Sequence, residues 1–166
     1  MSDVTKAIYT PHDIGLLTGI NSDRLRDWRR LGMMSQFGTE SDAGRWKYNI
    51  AELIALSVSE RLCSFGMGVS RTEGLQIGSN YSLEIAQYTV RMHNGLQPVG
   101  PRYGANVFEG YTADGVAHGW QHIRMTSLSE LEGQKFDSAQ VVDIWHMAEA
   151  LPLRIKAEVL SAFGHD

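Results

Sequence analysis

The stretch "INSDRLRDWRRLG", residues 20 to 32, sets Arg24, Arg26, Arg29 and Arg30 around Trp28. A guanidinium is a planar fork of donors that grips phosphate oxygens or pairs with guanine O6 and N7. Four of them within three helical turns therefore suit nucleic-acid recognition. At about 100° per residue, Leu25, Trp28 and Leu31 share one helix face, Ser22, Arg26, Arg29 and Arg30 lie opposite, and Arg24 falls at the border. The competing reading is an ordinary solvated face on which Asp23 and Asp27 compensate the arginines. A second basic cluster follows in "GRWKYN", where Arg45 and Lys47 alternate with Trp46 and Tyr48. On a strand that alternation separates outward cations from inward rings, and outward cations on a hairpin suit a neighbouring phosphate track.

Other chemistry finds less support. His118 and His122 in "HGWQH" would share a face of a strand but stand about 13 Å apart by rise per residue. No cysteine or glutamate nearby completes a ligand set, so no metal site is expected. "GPRYG" and "GMG" match neither a nucleotide-binding loop nor a dinucleotide fingerprint, and no serine or cysteine sits in a nucleophile elbow. Neither a cofactor nor an enzymatic activity is expected. Cys63 is the single cysteine, which rules out an intrachain disulfide framework, and it reads as a small buried hydrophobe. With no run of eighteen apolar residues and no secretory signal pattern at the N-terminus, the expected address is cytoplasmic, with no membrane partner.

The elements that would position the arginines carry clear local signals. Thr10, Pro11 and Asp13 form a complete helix start, and Gly19 stops that helix. A second helix begins after Asn21 or Ser22 and ends near Gly32, giving two short helices joined by a tight turn. Residues 33 to 48 read as a β-hairpin or wing with a Gly-, Ser- and Asp-rich tip. Asn49 with Glu52 starts a further helix that ends around Gly66, and Ser70 with Glu73 starts a shorter one. The N-terminal unit is expected to close before "IGSNYS". A separate helix at about 82 to 94 precedes the turn-rich "GLQPVGPRYG". "ANVFEGYTADGVAHGWQHIRMTS" reads as two strands of a hairpin turning at Asp114-Gly115, and Ser127 with Glu130 as a short helical cap. "AQVVDIW" is either a buried strand or the start of the last helix, and "PLRIKAEVLSAF" is helical.

Charge is uneven. Residues 1 to 75 hold nine Lys or Arg against nine Asp or Glu, and the net charge of −4 arises wholly from the remainder. Any DNA-binding surface must therefore be local.

The stretches "YTPHDIGLLTGIN", "LRDWRRLGM" and "GRWKY" resemble the MerR-type winged helix-turn-helix over roughly residues 9 to 75. Thr18-Gly19-Ile20, Leu25-Arg26 and Gly32-Met33 stand at that family's spacing. The resemblance implies Arg26 as a DNA contact and Tyr48 as a wing-packing residue whose hydroxyl reaches phosphate. It also implies dimers that bind palindromic promoters and distort them. The sequence departs from the family at Asp27 and Trp28, which replace two tyrosines, and at Trp46, which stands where the family has an arginine. The helix at 82 to 94 is also too short for the family's long coiled coil.

The expectation is an α+β protein with a MerR-like winged helix-turn-helix at 1–78, a connecting helix and linker at 79–100, and a small mixed α/β module at 101–166. That last module would serve oligomerisation, effector binding or a protein partner. The expected function is that of a bacterial or phage DNA-binding transcription regulator acting as a homodimer. Ser22, Arg24, Arg26, Arg29, Arg30, Arg45, Lys47 and Tyr48 would face the duplex. Two alternatives use the same head: a protein-interaction or assembly adaptor in a phage-like system, and an excision-type factor that bends DNA.

Overall fold

Six α-helices and five strands are described in the computed structural model, which covers residues 5–64, 68–111, 117–134 and 136–164, with the backbone alone for 109–111, 117, 118 and 120. In chain order they are α1 (Pro11–Thr18), α2 (Ser22–Arg30), β1 (Thr39–Glu40), β2 (Trp46–Lys47), α3 (Ile50–Ser64) and α4 (Arg71–His93). There follow β3 (Tyr103–Tyr111), β4 (Ala117–Met125), a short 3-10 turn (Leu128–Leu131), β5 (Ser138–Asp143), α5 (Ile144–Glu149) and α6 (Leu153–Phe163). The protein is thus mixed α+β with two small antiparallel sheets, β1-β2 and β4-β3-β5.

The helix starts follow their local signals. Thr10 Oγ1 accepts from the Asp13 amide, and the Asp13 carboxylate accepts from the Thr10 hydroxyl and amide, which holds the Asp13 carboxyl below its usual range. Asn21 caps α2 by accepting from the Arg24 amide at 2.9 Å. Asn49 with Glu52 and Ser70 with Glu73 repeat the reciprocal arrangement at α3 and α4. Ser127 and Glu130 do so at the 3-10 turn. "AQVVDIW" is neither a fully buried strand nor the start of the last helix: it is strand through Asp143, with only Val142 buried, and the Asp143 carboxylate then caps α5, the helix before the last. The expected Asp114-Gly115 turn and the helix end at Gly66 lie outside the described residues.

One expectation is overturned. The helix begun by Ser70 does not stop before "IGSNYS" but runs unbroken to His93, so the anticipated boundary at 78/79 falls inside α4. The small and polar residues that read as a break are packing residues. Gly74 and Gly78 lie one turn apart against Ser59 and Ala55 of α3. A Cβ on Gly78 would meet the Ala55 backbone, with its Cα at 2.8 Å, and one on Gly74 would lie 3.0 Å from Ser59 Oγ. Tertiary contact outweighs the poor helix propensity of glycine here. One core accordingly runs from Tyr9 and Ile14 through Leu53, Ile54 and Leu56 of α3 to Ile144, Ile155 and Val159. The C-terminal elements close the same core that the first helices open. Tyr9 makes the link explicit, donating its hydroxyl to Glu158 of α6 at 2.9 Å.

The three-stranded sheet docks on α4 by one face. Tyr81 lies over Gly104, where a Cβ would come within 2.7 Å of three ring atoms, and burial pushes its hydroxyl up to about 12. Two residues on, on the same face, His122, Asn106 and Gln140 form a polar row across β4, β3 and β5. His122 Nδ1 lies 2.6 Å from Asn106 Oδ1, and the buried Asn106 needs that donor. Asn80 Nδ2 lies 2.9 and 3.0 Å from the two ring nitrogens and Gln76 Nε2 lies 3.3 Å from Nε2. The neutral tautomer that fits carries its proton on Nδ1 and accepts at Nε2. The opposite sheet face buries a small second core of Ala105, Val107 and Met125.

Two further corrections concern single residues. Leu31, expected among the apolar anchors of α2, is 63% exposed, because α2 ends at Arg30 and the left-handed Gly32 turns the chain away. Cys63 is only half-buried, with Sγ 3.6 Å from the Ser70 carbonyl.

Gly78→Ala is expected to lower stability by about 1–3 kcal/mol in denaturant titration, overpacking outweighing the gain in helix propensity. A neutral or stabilising result would refute the close α3–α4 approach. Burial and the Arg124 guanidinium hold His122 below its usual range, so its contribution to stability is intact above about pH 6.5 and falls as pH drops through its folded value. Thermal melts from pH 7.5 to 5 should show that slope, and His122→Gln should flatten it; the carboxylates with lowered values act only further down.

Candidate nucleic-acid interface

The turn from Gly19 to Asn21 buries Ile20 and swings α2 across the N-terminal unit, with Leu25 and Trp28 in the core. Its exposed arc holds Ser22, Asp23, Arg26, Asp27 and Arg30. Arg26 pairs with Asp23, and Arg30 with Asp27 at 3.4 Å, both pairs in solvent.

Arg29 and Tyr48, expected to face DNA, are turned inward. Arg29 follows Leu25 by one turn, only about 40° away on the helix, so it sits on the shoulder of the apolar face. Its guanidinium carbon lies over Trp46, 3.3 Å from the ring centroid, and the guanidinium donates to the Phe37 carbonyl at 2.8 Å and the Tyr48 hydroxyl at 3.2 Å. Those contacts use the fork that a base or phosphate would need. Tyr48 is 1% exposed, its backbone bridged to Tyr9 and its hydroxyl spent on Arg29.

Arg24 occupies the other shoulder. It pairs with Glu60 of α3 at 3.1 Å and stacks on Trp28, where Arg71 of α4 also stacks and pairs with the same carboxylate at 2.8 Å. Arg24 keeps part of its surface exposed but is committed to fixing α2 on α3. Glu60 and Arg71 escaped the sequence reading, since a partner 36 or 47 positions away leaves no local pattern.

The hairpin behaves as the alternation implies. Thr39 pairs with Lys47 and Glu40 with Trp46, leaving Arg45 and Lys47 exposed while Trp46 packs toward α2. Gly38 must be glycine: its φ is +77°, and a Cβ there would lie 3.1 Å from the Arg29 guanidinium, the Lys47 carbonyl and the Tyr48 ring. Glu52 further fixes the hairpin by accepting from the Gly38 amide at 2.6 Å.

Of the eight anticipated DNA contacts, Ser22, Arg26, Arg30, Arg45 and Lys47 remain outward, and Arg24, Arg29 and Tyr48 hold α2 and the hairpin in place. Asp23, Asp27, Glu40 and Asp42 share the outward surface, so its four cations meet four anions. Among the described residues no three His, Cys, Asp or Glu side chains are grouped as metal ligands would be, and the side chain of His118 lies outside those described. No described helix is long and apolar enough to cross a membrane. No protein-family model matches the chain, and no curated protein is significantly similar to it.

Arg29→Ala should cost about 1–3 kcal/mol of stability by removing hydrogen bonds and a stacked cation, whereas Arg26→Ala should stay within about 0.5 kcal/mol. Equal unfolding midpoints for the two variants would refute the division between inward and outward arginines.

Proposed function

We propose that residues 9 to 75 form a MerR-like winged helix-turn-helix head that binds double-stranded DNA, in a transcription regulator of bacterial or phage type. In this reading α2 enters the major groove with Ser22, Arg26 and Arg30 toward base edges and phosphates. The β1-β2 hairpin lies on flanking backbone through Arg45 and Lys47. A homodimer would present two such helices to a palindromic site, and the C-terminal elements would supply the dimer or partner contact.

One observation carries the reading: the apolar face and both shoulders of α2 are committed inward, and its outward arc presents Arg26, Arg30 and the small hydroxyl of Ser22, with Asp23 and Asp27 paired to the two arginines. The Arg29–Trp46 stack supports it further, because it joins α2 rigidly to the hairpin, and a preorganised pair of elements suits a fixed groove-to-backbone spacing. The balance of four cations and four anions favours a second reading, a protein-docking surface on the same scaffold. A DNA-bending excision factor would use the same contacts as the regulator and differs in what the bound duplex does.

Selection from a random duplex library, followed by anisotropy titration, tests the proposal. Arg26→Ala should weaken the selected site by about 1–3 kcal/mol, and Lys47→Ala should weaken all duplexes alike and reduce the salt slope by about one. No enrichment and no binding at low salt would sink the DNA reading and leave the docking surface. A circular-permutation bending assay separates the architectural variant.

A further inference from the structure

On the outward arc of α2 each arginine is already paired, Arg26 with Asp23 and Arg30 with Asp27, both one turn away and both in solvent. Resting on the DNA reading, we infer that Asp23 and Asp27 are specificity determinants of α2, which set aside sequence-independent binding to the phosphate backbone.

The physical argument turns on what a phosphate and a base edge each offer. A phosphate approaching Arg26 or Arg30 must compete with a carboxylate already there and bring its own negative charge beside that carboxylate. In solvent the existing pairs hold their arginines weakly, so an arginine can leave. It leaves with profit only for a partner that does not clash with the aspartate. Guanine O6 and N7 satisfy the arginine with two acceptors and place no full charge beside the carboxylate. A cytosine N4 amino group would donate to the freed aspartate as well. Asp23 and Asp27 therefore suppress the non-specific mode more than the specific one.

Two features of the arc agree. Asp27 sits in the body of α2, beyond the first turn in which an acidic residue would stabilise the helix N-terminus, so its contribution to the helix is confined to the weak solvent pair with Arg30. The inward arginines Arg24 and Arg29 have partners of their own, a glutamate on α3 in one case and carbonyls with an aromatic ring in the other. The aspartates are thus free to act on Arg26 and Arg30 alone.

The test compares parent, Asp27→Asn, Asp23→Asn/Asp27→Asn and the charge-keeping Asp27→Glu on the selected duplex and on a random-sequence duplex, at two or more salt concentrations. Asp27→Asn is the primary variant because Asp23 lies in the first turn of α2. Glu132→Gln, which removes one exposed charge from the loop after the 3-10 turn, controls for net charge. The double variant should bind random duplex about fivefold more tightly, with a steeper salt slope, so that the preference for the selected site over random duplex falls. Asp27→Glu should behave as the parent. Unchanged affinity for random duplex in the Asn variants, or an equal gain in Glu132→Gln, overturns the inference while the DNA reading stands. Failure of the parent to bind any duplex overturns both.

Discussion

Ala55 of α3 meets Gly78 of α4 nearly backbone to backbone, Gly74 packs on Ser59 and Cys63 one turn away, and the main core is built on either side of that crossing. Only small side chains, those of Ser59 and Cys63 opposite Gly74, lie at the crossing, so the two longest helices approach closely and their flanking rows, Leu53, Ile54 and Leu56 on one and Leu75, Ile77 and Tyr81 on the other, fill the core on either side. α3 is buried almost throughout its length. α4 faces α3 with its small residues and offers Tyr81, Asn80 and Gln76 to the sheet. A rigid α3–α4 pair thus connects a surface near the N-terminus with a sheet near the C-terminus.

The candidate interface hangs from this pair by two cationic ties of different kinds. Arg24 and Arg71 grip Trp28 from α2 and α4 with Glu60 of α3 between them, an ion-pair arrangement that joins three helices. Arg29 joins α2 to the hairpin through a stacked ring and backbone carbonyls. Arginine suits both places, because its plane lies on an aromatic ring while its edge donates in several directions. The same residue type therefore acts as scaffold on the shoulders of α2 and as candidate contact on its outward arc. Burial of the apolar face decides which is which.

Charge neutrality over the outward arc is compatible with binding a polyanion only if recognition rests on directed contacts rather than on a broad positive field. That places weight on geometry, on how firmly α2 and the hairpin are held relative to each other. Gly38 matters here because its missing side chain leaves room for the Arg29 guanidinium, the Lys47 carbonyl and the Tyr48 ring to converge.

Much of the local architecture was legible from sequence. Thr10 with Asp13, Asn21, Asn49 with Glu52 and Ser70 with Glu73 mark helix starts because a cap acts over three residues, and a signal of that range is written in adjacent letters. The outward placement of Arg26, Arg30, Arg45 and Lys47 follows likewise from helix and strand periods. The continuity of α4 was hidden, since Gly74 and Gly78 break helices by propensity and stabilise this one only through α3. The inward turn of Arg29 was hidden because Trp46 and Tyr48 lie 17 and 19 positions away. Leu31 reads as an anchor by period but lies beyond the last helical turn, where the period no longer holds. The sequence by itself determined where elements begin and which residues each element could present. The tertiary structure alone decided which of those arginines remain free, because that depends on partners the chain brings together only when the α3–α4 crossing closes.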